Sequence, residues 1–193
     1  MESRLIDIEC IRLPEQGTIG AKSFENLESK ISGLFASLRL PLYRYFLVTL
    51  GDATEAEDMT QECFLRLYRR LHKGDPVEDP RLWLFHVARN LSLDRNKSGR
   101  LLREMHSISW REIHKTLSDP SPSAEQNMLD YERYEFMHNA MNRLTKMQME
   151  VLTLRAEGLG YREIGDLMSL NTVAVAAHVR RAIARIRIES DDR

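Results

Sequence analysis

Asp58, Gln61 and Glu62, with Leu65 one turn on, are the side chains whose types and spacing first suggest a function, and that function is docking. At roughly 100° per residue, a helix over TEAEDMTQECFLRLYRRL, Thr54 to Leu71, places them with Arg69 on one face. Met59, Cys63, Phe64, Leu67, Tyr68 and Leu71 fall on the other, a core-facing stripe. Acids, an amide and an outward Leu, with no positive charge before Arg66, suit a basic partner surface. On pattern alone a solvated helix face accounts for them better.

A second group suits nucleic acid. In RLWLFHVARNLSLDRNKSGR, from Arg81, the residues Trp83, Leu84, Val87, Ala88 and Leu91 form an apolar side. His86, Arg89, Asn90, Leu93 and Lys97 share another stripe, which would set Arg and Lys on phosphates and Asn or His on base edges. Trp83 could be a stacking platform, although beside Val87 at helical spacing a core role fits better. The loop KGDPVEDP, Lys73 to Pro80, is a connector by its Gly and Pro content, and its place between two helices also leaves it free to receive an unstacked base.

The third group lies in LGYREIGDLMSLNTVAVAAHVRRAIARIRIES. It divides into a short helix Tyr161 to Met168, a tight turn Ser169 to Asn171 and a longer helix from Thr172 to Ile188, a helix-turn-helix pattern. Gly165 supplies a small residue at a close crossing, and Asn171 or Thr172 can cap the second helix. There, Val175, Val179, Ala182 and Ile186 make a narrow apolar stripe opposite Ala174, Ala177, His178, Arg181 and Arg185. Alanines beside a His and two Arg permit close approach to a major groove. An amphipathic helix with a solvated basic face is the alternative; the short helix and turn at the right spacing put DNA binding ahead.

No constellation for catalysis accompanies these groups. An enzyme acting on nucleic acid would need converging carboxylates or a metal site, and the acids cluster on the docking face instead. Cys10 and Cys63 have no metal spacing, and Cys63 reads as a small core residue. His106 and His114 lack a carboxylate or Cys to complete a ligand set. No catalytic residue, metal or cofactor is expected.

The elements that must position these groups are helices. Pro and Gly are scarce and apolar residues recur at helical spacing, so an all-α chain is expected. A chain of 193 residues, 42% hydrophobic and 30% charged, can form one domain or two small ones. Its net charge of -1 argues against indiscriminate nucleic-acid binding, but the charge is segregated. Asp52 to Glu62 holds five acids and no base; Arg81 to Lys115 holds eight Lys or Arg against three acids; Val173 to Ile188 holds four Arg and no acid. One acidic and two basic surfaces follow.

In chain order, residues 1–23 read as an extension and 24–50 as one or two helices, with Pro41 at a start or kink. Thr54 and Glu57 fit a capping box. A first helical domain spans 24–99; the basic, Ser/Pro-containing stretch 100–127 is a linker; the helix-turn-helix domain spans 128–193. Helices are expected from Ala124 to Leu144 and from Lys146 to Ala156, the latter with Thr145 and Gln148 as a capping box. No apolar run reaches membrane-spanning length and MESRLIDIEC lacks a signal peptide's apolar segment, so a cytoplasmic protein is expected.

In combination, these stretches resemble the extracytoplasmic-function (ECF) group of bacterial RNA polymerase sigma factors, which hold only sigma regions two and four. AEDMTQECFLRLYR (Ala56 to Arg70) is similar to region 2.2, and WLFHVARNLSLDRNK (Trp83 to Lys97) to regions 2.3 and 2.4. YREIGDLM followed by HVRRAIARIR is similar to the region 4.2 helix-turn-helix, and the resemblance covers residues 24–188.

The resemblance implies a subunit that binds core RNA polymerase, recognises promoter minus-ten and minus-thirty-five elements and promotes melting. Asp58, Gln61, Glu62 and Leu65 would dock on the clamp helices of the largest subunit; the flap is a further implied contact. Arg89, Asn90, Asp94, Arg95 and Lys97 would lie in the segment that reads and opens the minus-ten element, with the 73–80 loop capturing a flipped base. His178, Arg181 and Arg185 would contact the minus-thirty-five element, the linker would thread the polymerase, and an anti-sigma factor is a partner common in the family. Against the family pattern stand Thr145 for Pro, Ser169 for Gly, Ala174-Val175-Ala176 for Thr-Val and a Lys, and His178 for Arg. Each charge lost from region four should lower the salt slope by about one phosphate's worth. A stand-alone helix-turn-helix regulator with a ligand-sensing N-terminal half is the rival reading; it predicts DNA binding without polymerase.

Overall fold

A computed structural model describes residues 21–97 and 139–191, with side chains described from 28 to 95 and from 139 to 187. The 100–127 linker, nearly all of the extension, most of the 124–144 helix, Cys10, His106 and His114 lie outside the described residues. Every regular element described is a helix.

Helix α1 runs from Ala21 to Leu50 without interruption, so the 24–50 stretch is one helix with Pro41 inside it. Proline removes one rung of the backbone ladder. Leu38 on one side of it and Leu42, Tyr45 and Phe46 on the other are all buried, which holds both halves of the helix to the same neighbours.

Gly51, at φ +78°, ends α1 and donates its N–H to the Leu47 carbonyl at 3.0 Å. That turn leaves Asp52 extended, and its carboxylate accepts from the Glu55 N–H at 2.7 Å, capping α2, Ala53–His72. The cap expected at Thr54 is therefore two residues earlier, because the glycine reverses the chain before Thr54 is reached. Ala56, Met59, Thr60, Cys63, Phe64, Leu67 and Leu71 form the buried stripe. Tyr68, expected in that stripe, is exposed and stacks on His72 with ring centroids 5.6 Å apart. It sits about 100° round the helix from the stripe's centre, beyond the reach of α1 and α3.

Asp79 accepts from the Leu82 N–H at 2.9 Å and Pro80 takes the first position of α3, Pro80–Lys97. Its buried side chains are Leu84, Phe85, Ala88, Leu91 and Ser92, with Trp83 and Val87 packed at the edge. Phe85 and Ser92 were not on the expected apolar side; Ser92 pairs with Thr49 of α1, hydroxyl to hydroxyl, at 3.0 Å.

Beyond a short described helical end at 139–142, α4 spans Lys146–Ala156. Thr145 caps it as expected: its hydroxyl accepts from Gln148 N–H at 3.2 Å, and the Gln148 carboxamide accepts from Thr145 N–H at 3.0 Å. Helix α5, Tyr161–Met168, and helix α6, Thr172–Asp191, follow. Between them Ser169 adopts a left-handed φ of 57°, a conformation glycine would hold without strain. A Cβ on Gly165 would stand 2.6 Å from the Leu170 carbonyl oxygen, so the close approach is between α5 and the turn's own backbone. Asn171 caps α6 by accepting from Ala174 N–H at 2.7 Å.

The buried apolar side chains of α1–α3 and of α4–α6 form one contiguous cluster. Helix α1 lies against α4, and α3 against α5.

Candidate partner and nucleic-acid interfaces

Helix α2 presents the acidic face outward because its opposite stripe is consumed by α1 and α3. Asp58 and Gln61 are exposed, and neither has a side-chain partner among the described residues. Leu65, on the same face, is 48% exposed, large for an aliphatic side chain. Glu62 is half-buried and accepts from Arg66 Nε at 2.7 Å, with Arg69 at 3.9 Å. Two further acids are paired across helices, Glu57 with Arg39 at 2.8 Å and Glu55 with Arg95 at 3.4 Å. Exposed pairs of this kind contribute about 0–1 kcal/mol, so an incoming cation can replace Arg66 at little cost. The α2 face thus offers a negative, partly apolar surface without prior unfolding.

Cys63, directly beneath that face, is enclosed, and burial pushes its thiol up to about 12, with the Arg66 guanidinium pulling weakly the other way. It is a packing residue with no thiolate to react.

On α3 the sequence-identified residues divide. Asn90, Leu93, Asp94 and Arg95 are exposed, whereas Arg89 is mostly buried. Its Nε lies 3.4 Å from Glu150 Oε1 of α4, in ion-pair geometry outside hydrogen-bonding range. Lys97 is the last residue of α3, and its side chain lies outside the described atoms. Trp83 is half-buried, with the Arg70 guanidinium 5.7 Å above its ring, which leaves that face already stacked. In the 73–80 loop Val77 is buried and anchors the segment, while Gly74, Asp75, Pro76, Glu78 and Asp79 are exposed.

Helix α6 also divides. Val175, Val179 and Ala182 are buried, as expected, and Ile186 is half-buried. Ala174, Ala177 and His178 are half-buried at the opposite side, with His178 Nδ1 enclosed and without a hydrogen-bond partner. Arg181 is exposed and its Nε donates to the Ala177 carbonyl at 3.2 Å. Arg185 instead reaches back to α4: its Nη1 donates to Gln148 Oε1 at 2.7 Å and to the Arg143 carbonyl at 3.3 Å. The fold adds surface residues that helical periodicity did not single out, Val173 at 77% exposure and Arg180. A groove of about 300 Å³ beside them is lined by Tyr161, Val179, Arg180, Ile183 and Arg187.

A set of polar contacts between the two halves was not legible in the sequence. Arg44 of α1 grips Glu157, just past α4, with Nε at 2.6 Å and Nη2 at 2.5 Å. That hydrogen-bonded carboxylate raises the Arg44 pKa. Arg81 Nη2 donates to the Glu157 carbonyl, and Tyr45 Oη donates to Glu150 Oε1 at 2.9 Å. Burial first, and then the Glu150 carboxylate, raise the Tyr45 pKa well above the ordinary phenol value, so it remains a donor.

No group of three or more His, Cys, Asp or Glu among the described residues could hold a metal ion. No described helix is long and apolar enough to cross a membrane.

The described chain is thus a three-helix unit with an exposed acidic helix, followed by a helix-turn-helix. Residues 34–101 match the family model for Sigma-70 region 2 and residues 137–186 that for Sigma-70 region 4, together more than half of the chain. The chain belongs to the sigma-70 family.

Several of its relatives carry the name of the ECF group. It is similar to the ECF RNA polymerase sigma factor BldN of Streptomyces coelicolor, 31% identical over 157 residues that cover 78% of this chain and 57% of that one. Similarity to the ECF RNA polymerase sigma factor SigL of Mycobacterium tuberculosis reaches 45% over 60 residues, covering 31% of this chain and 34% of that one. The matched part thus spans from about a third to little more than half of these relatives' length. In fold it is similar to CnrH, solved with the cytosolic domain of CnrY, at a TM-score of 0.56 and 20% identity, covering 86% of this chain and 90% of that one. Similar in the same way is the sigma factor RpoE of Bartonella quintana, solved with the anti-sigma factor NepR, at a TM-score of 0.56 and 18% identity, covering 86% and 98%.

Proposed function

We propose that this chain is a promoter-specificity subunit of bacterial RNA polymerase, with no catalytic activity of its own, acting in the cytoplasm. The observation that carries the reading is the pairing, in one chain, of the open acidic face at Asp58, Gln61 and Leu65 with a capped helix-turn-helix at α5–α6. Asp58, Gln61, Glu62 and Leu65 dock on the clamp helices of the largest subunit, where Leu65 is the apolar contact and the acids meet basic side chains. The flap is a second contact of the polymerase.

On the promoter, Arg89, Asn90, Asp94, Arg95 and Lys97 serve the minus-ten element and His178, Arg181 and Arg185 the minus-thirty-five element. Guanidinium groups hold phosphates and set register; Asn90 has the donor and acceptor pair that reads an adenine edge. The exposed 73–80 loop receives an extruded base during strand separation, with no chemistry done on it. An anti-sigma factor would compete for these surfaces.

Run-off transcription with core polymerase on a promoter library tests the assignment and returns the sequence preference. Discrete start sites dependent on the added chain are expected. No transcript from any promoter, with no inhibitor present, would reject the reading.

A further inference from the structure

Glu150 of α4 and Glu157 just past its end are seven residues apart, about two turns of helix, and both meet side chains of α1 and α3. Arginine donates to carboxylate and phosphate oxygens with the same planar fork. In this structure Glu157 takes both prongs of Arg44, Arg81 holds the carbonyl of the same residue, and Glu150 faces Arg89 while accepting from Tyr45. The Glu157 side chain is 7% exposed and that of Arg44 21%, so the pair is largely withdrawn from water and from salt screening. Removing one partner from such a pair strands a charge, whereas separating the two halves rehydrates both partners.

We propose that Glu150 and Glu157 form a latch that holds the helix-turn-helix half against α1 and α3, standing where nucleic-acid phosphates would otherwise meet Arg89. The free chain is closed, and a DNA strand gains Arg89 only when the latch opens. Interfaces between domains of one chain are commonly polar and admit relative motion, and a carboxylate is a partner that phosphate oxygens can displace. The gating half of this proposal rests on the assignment of Arg89 to the minus-ten strand; the latch itself does not.

The experiment uses the full free chain and two readouts. Small-angle scattering follows compaction, and fluorescence anisotropy with labelled single-stranded 20-mers of randomised sequence follows access to the basic groups. Glu150→Ala combined with Glu157→Ala should raise the radius of gyration and tighten strand binding about tenfold, a size usual for coupling between two states. Swapping the pair, Arg44→Glu with Glu157→Arg, should return both readouts toward the parent. Where circular dichroism shows that the double variant has lost helix, Arg44→Met reads the same latch from the other side. An unchanged radius of gyration in folded variants overturns the latch. Expansion without tighter strand binding overturns the gating and keeps the latch, while failure of the parent chain in run-off transcription rejects the sigma reading and leaves the scattering result standing.

Discussion

Asp58, Gln61 and Leu65 on α2 stand in solvent without side-chain partners among the described residues, whereas Arg89 on α3 and Arg185 on α6 are each engaged by a residue of α4. The two surfaces carry opposite charge and opposite readiness. Helix α2 spends its apolar stripe on α1 and α3 and keeps its acids outside, so its face is presented by the fold alone. The arginines extend from faces that other helices can approach: a carboxylate of the same chain pairs with Arg89, and an amide oxygen accepts from Arg185. A surface presented at rest suits the first encounter with a partner; groups held in reserve suit a step that follows it.

The largest expected effect breaks the presented side. Asp58→Lys with Glu62→Lys should weaken binding to core polymerase by on the order of 4 kcal/mol, about a thousandfold, by setting cations against a basic surface. Helix content should stay at the parent level, because neither side chain is in the core. Unaltered capture of core enzyme in a pull-down would remove the docking role.

Gly165→Ala breaks the other side through its scaffold. The added carbon would meet the Leu170 carbonyl at 2.6 Å, so the turn must shift, at a cost of about 1–3 kcal/mol. Thermal unfolding of the variant should begin lower, and binding to promoters should fall with it. An unchanged melting curve would show that the turn is soft.

A narrower test compares arginines on one helix. Arg181→Ala should cost about 1–2 kcal/mol on promoters with an intact upstream element and little where that element is scrambled. Gln148→Ala removes the nearer of the two acceptors that hold Arg185 and should raise the salt slope of upstream binding by about one. Equal losses for Arg181→Ala on both promoter sets would move the contact elsewhere.

The smallest effect sharpens the start of α2. Asp52→Ala should destabilise the chain by about 1 kcal/mol through loss of the cap. Thr54→Ala, two residues inside, should stay within about 0.5 kcal/mol. Denaturant midpoints of the two variants distinguish them, and the reverse order would restore the cap to Thr54.

Much of the fold was legible because its signals are local. Lys146–Ala156 and Tyr161–Met168 coincide with the expected bounds, since Thr145 and Gln148 cap each other three residues apart and Gly165 marks the close approach within the same turn. Two of the errors in the first half, both on α2, are also local. Thr54 and Glu57 have the right types for a capping box, but the left-handed Gly51 decided where α2 begins. Tyr68 has an apolar ring at a helical spacing, but its edge position left it outside the packed stripe.

The candidate interfaces were legible to the level of helix faces and no further. Periodicity assigns a side chain to a face and cannot say what another helix lays against it. Arg89, Arg181 and Arg185 were alike in sequence; in the structure Arg89 is mostly buried against Glu150, while Arg181 and Arg185 are both exposed, the first turned onto the Ala177 carbonyl of its own helix and the second bound to Gln148 of α4.

Read alone, the sequence determined an all-α chain, its caps and turns, the sign of charge on each helix face and membership in a family. Those properties follow from contacts between residues a few positions apart, which helical geometry places together regardless of the rest. Only the tertiary structure decided which charged groups are open and which are held. Arg44 and Glu157 are 113 positions apart, and Tyr45 and Glu150 are 105 apart. No spacing rule joins such residues; the packing of α4 and α5 against α1 and α3 does.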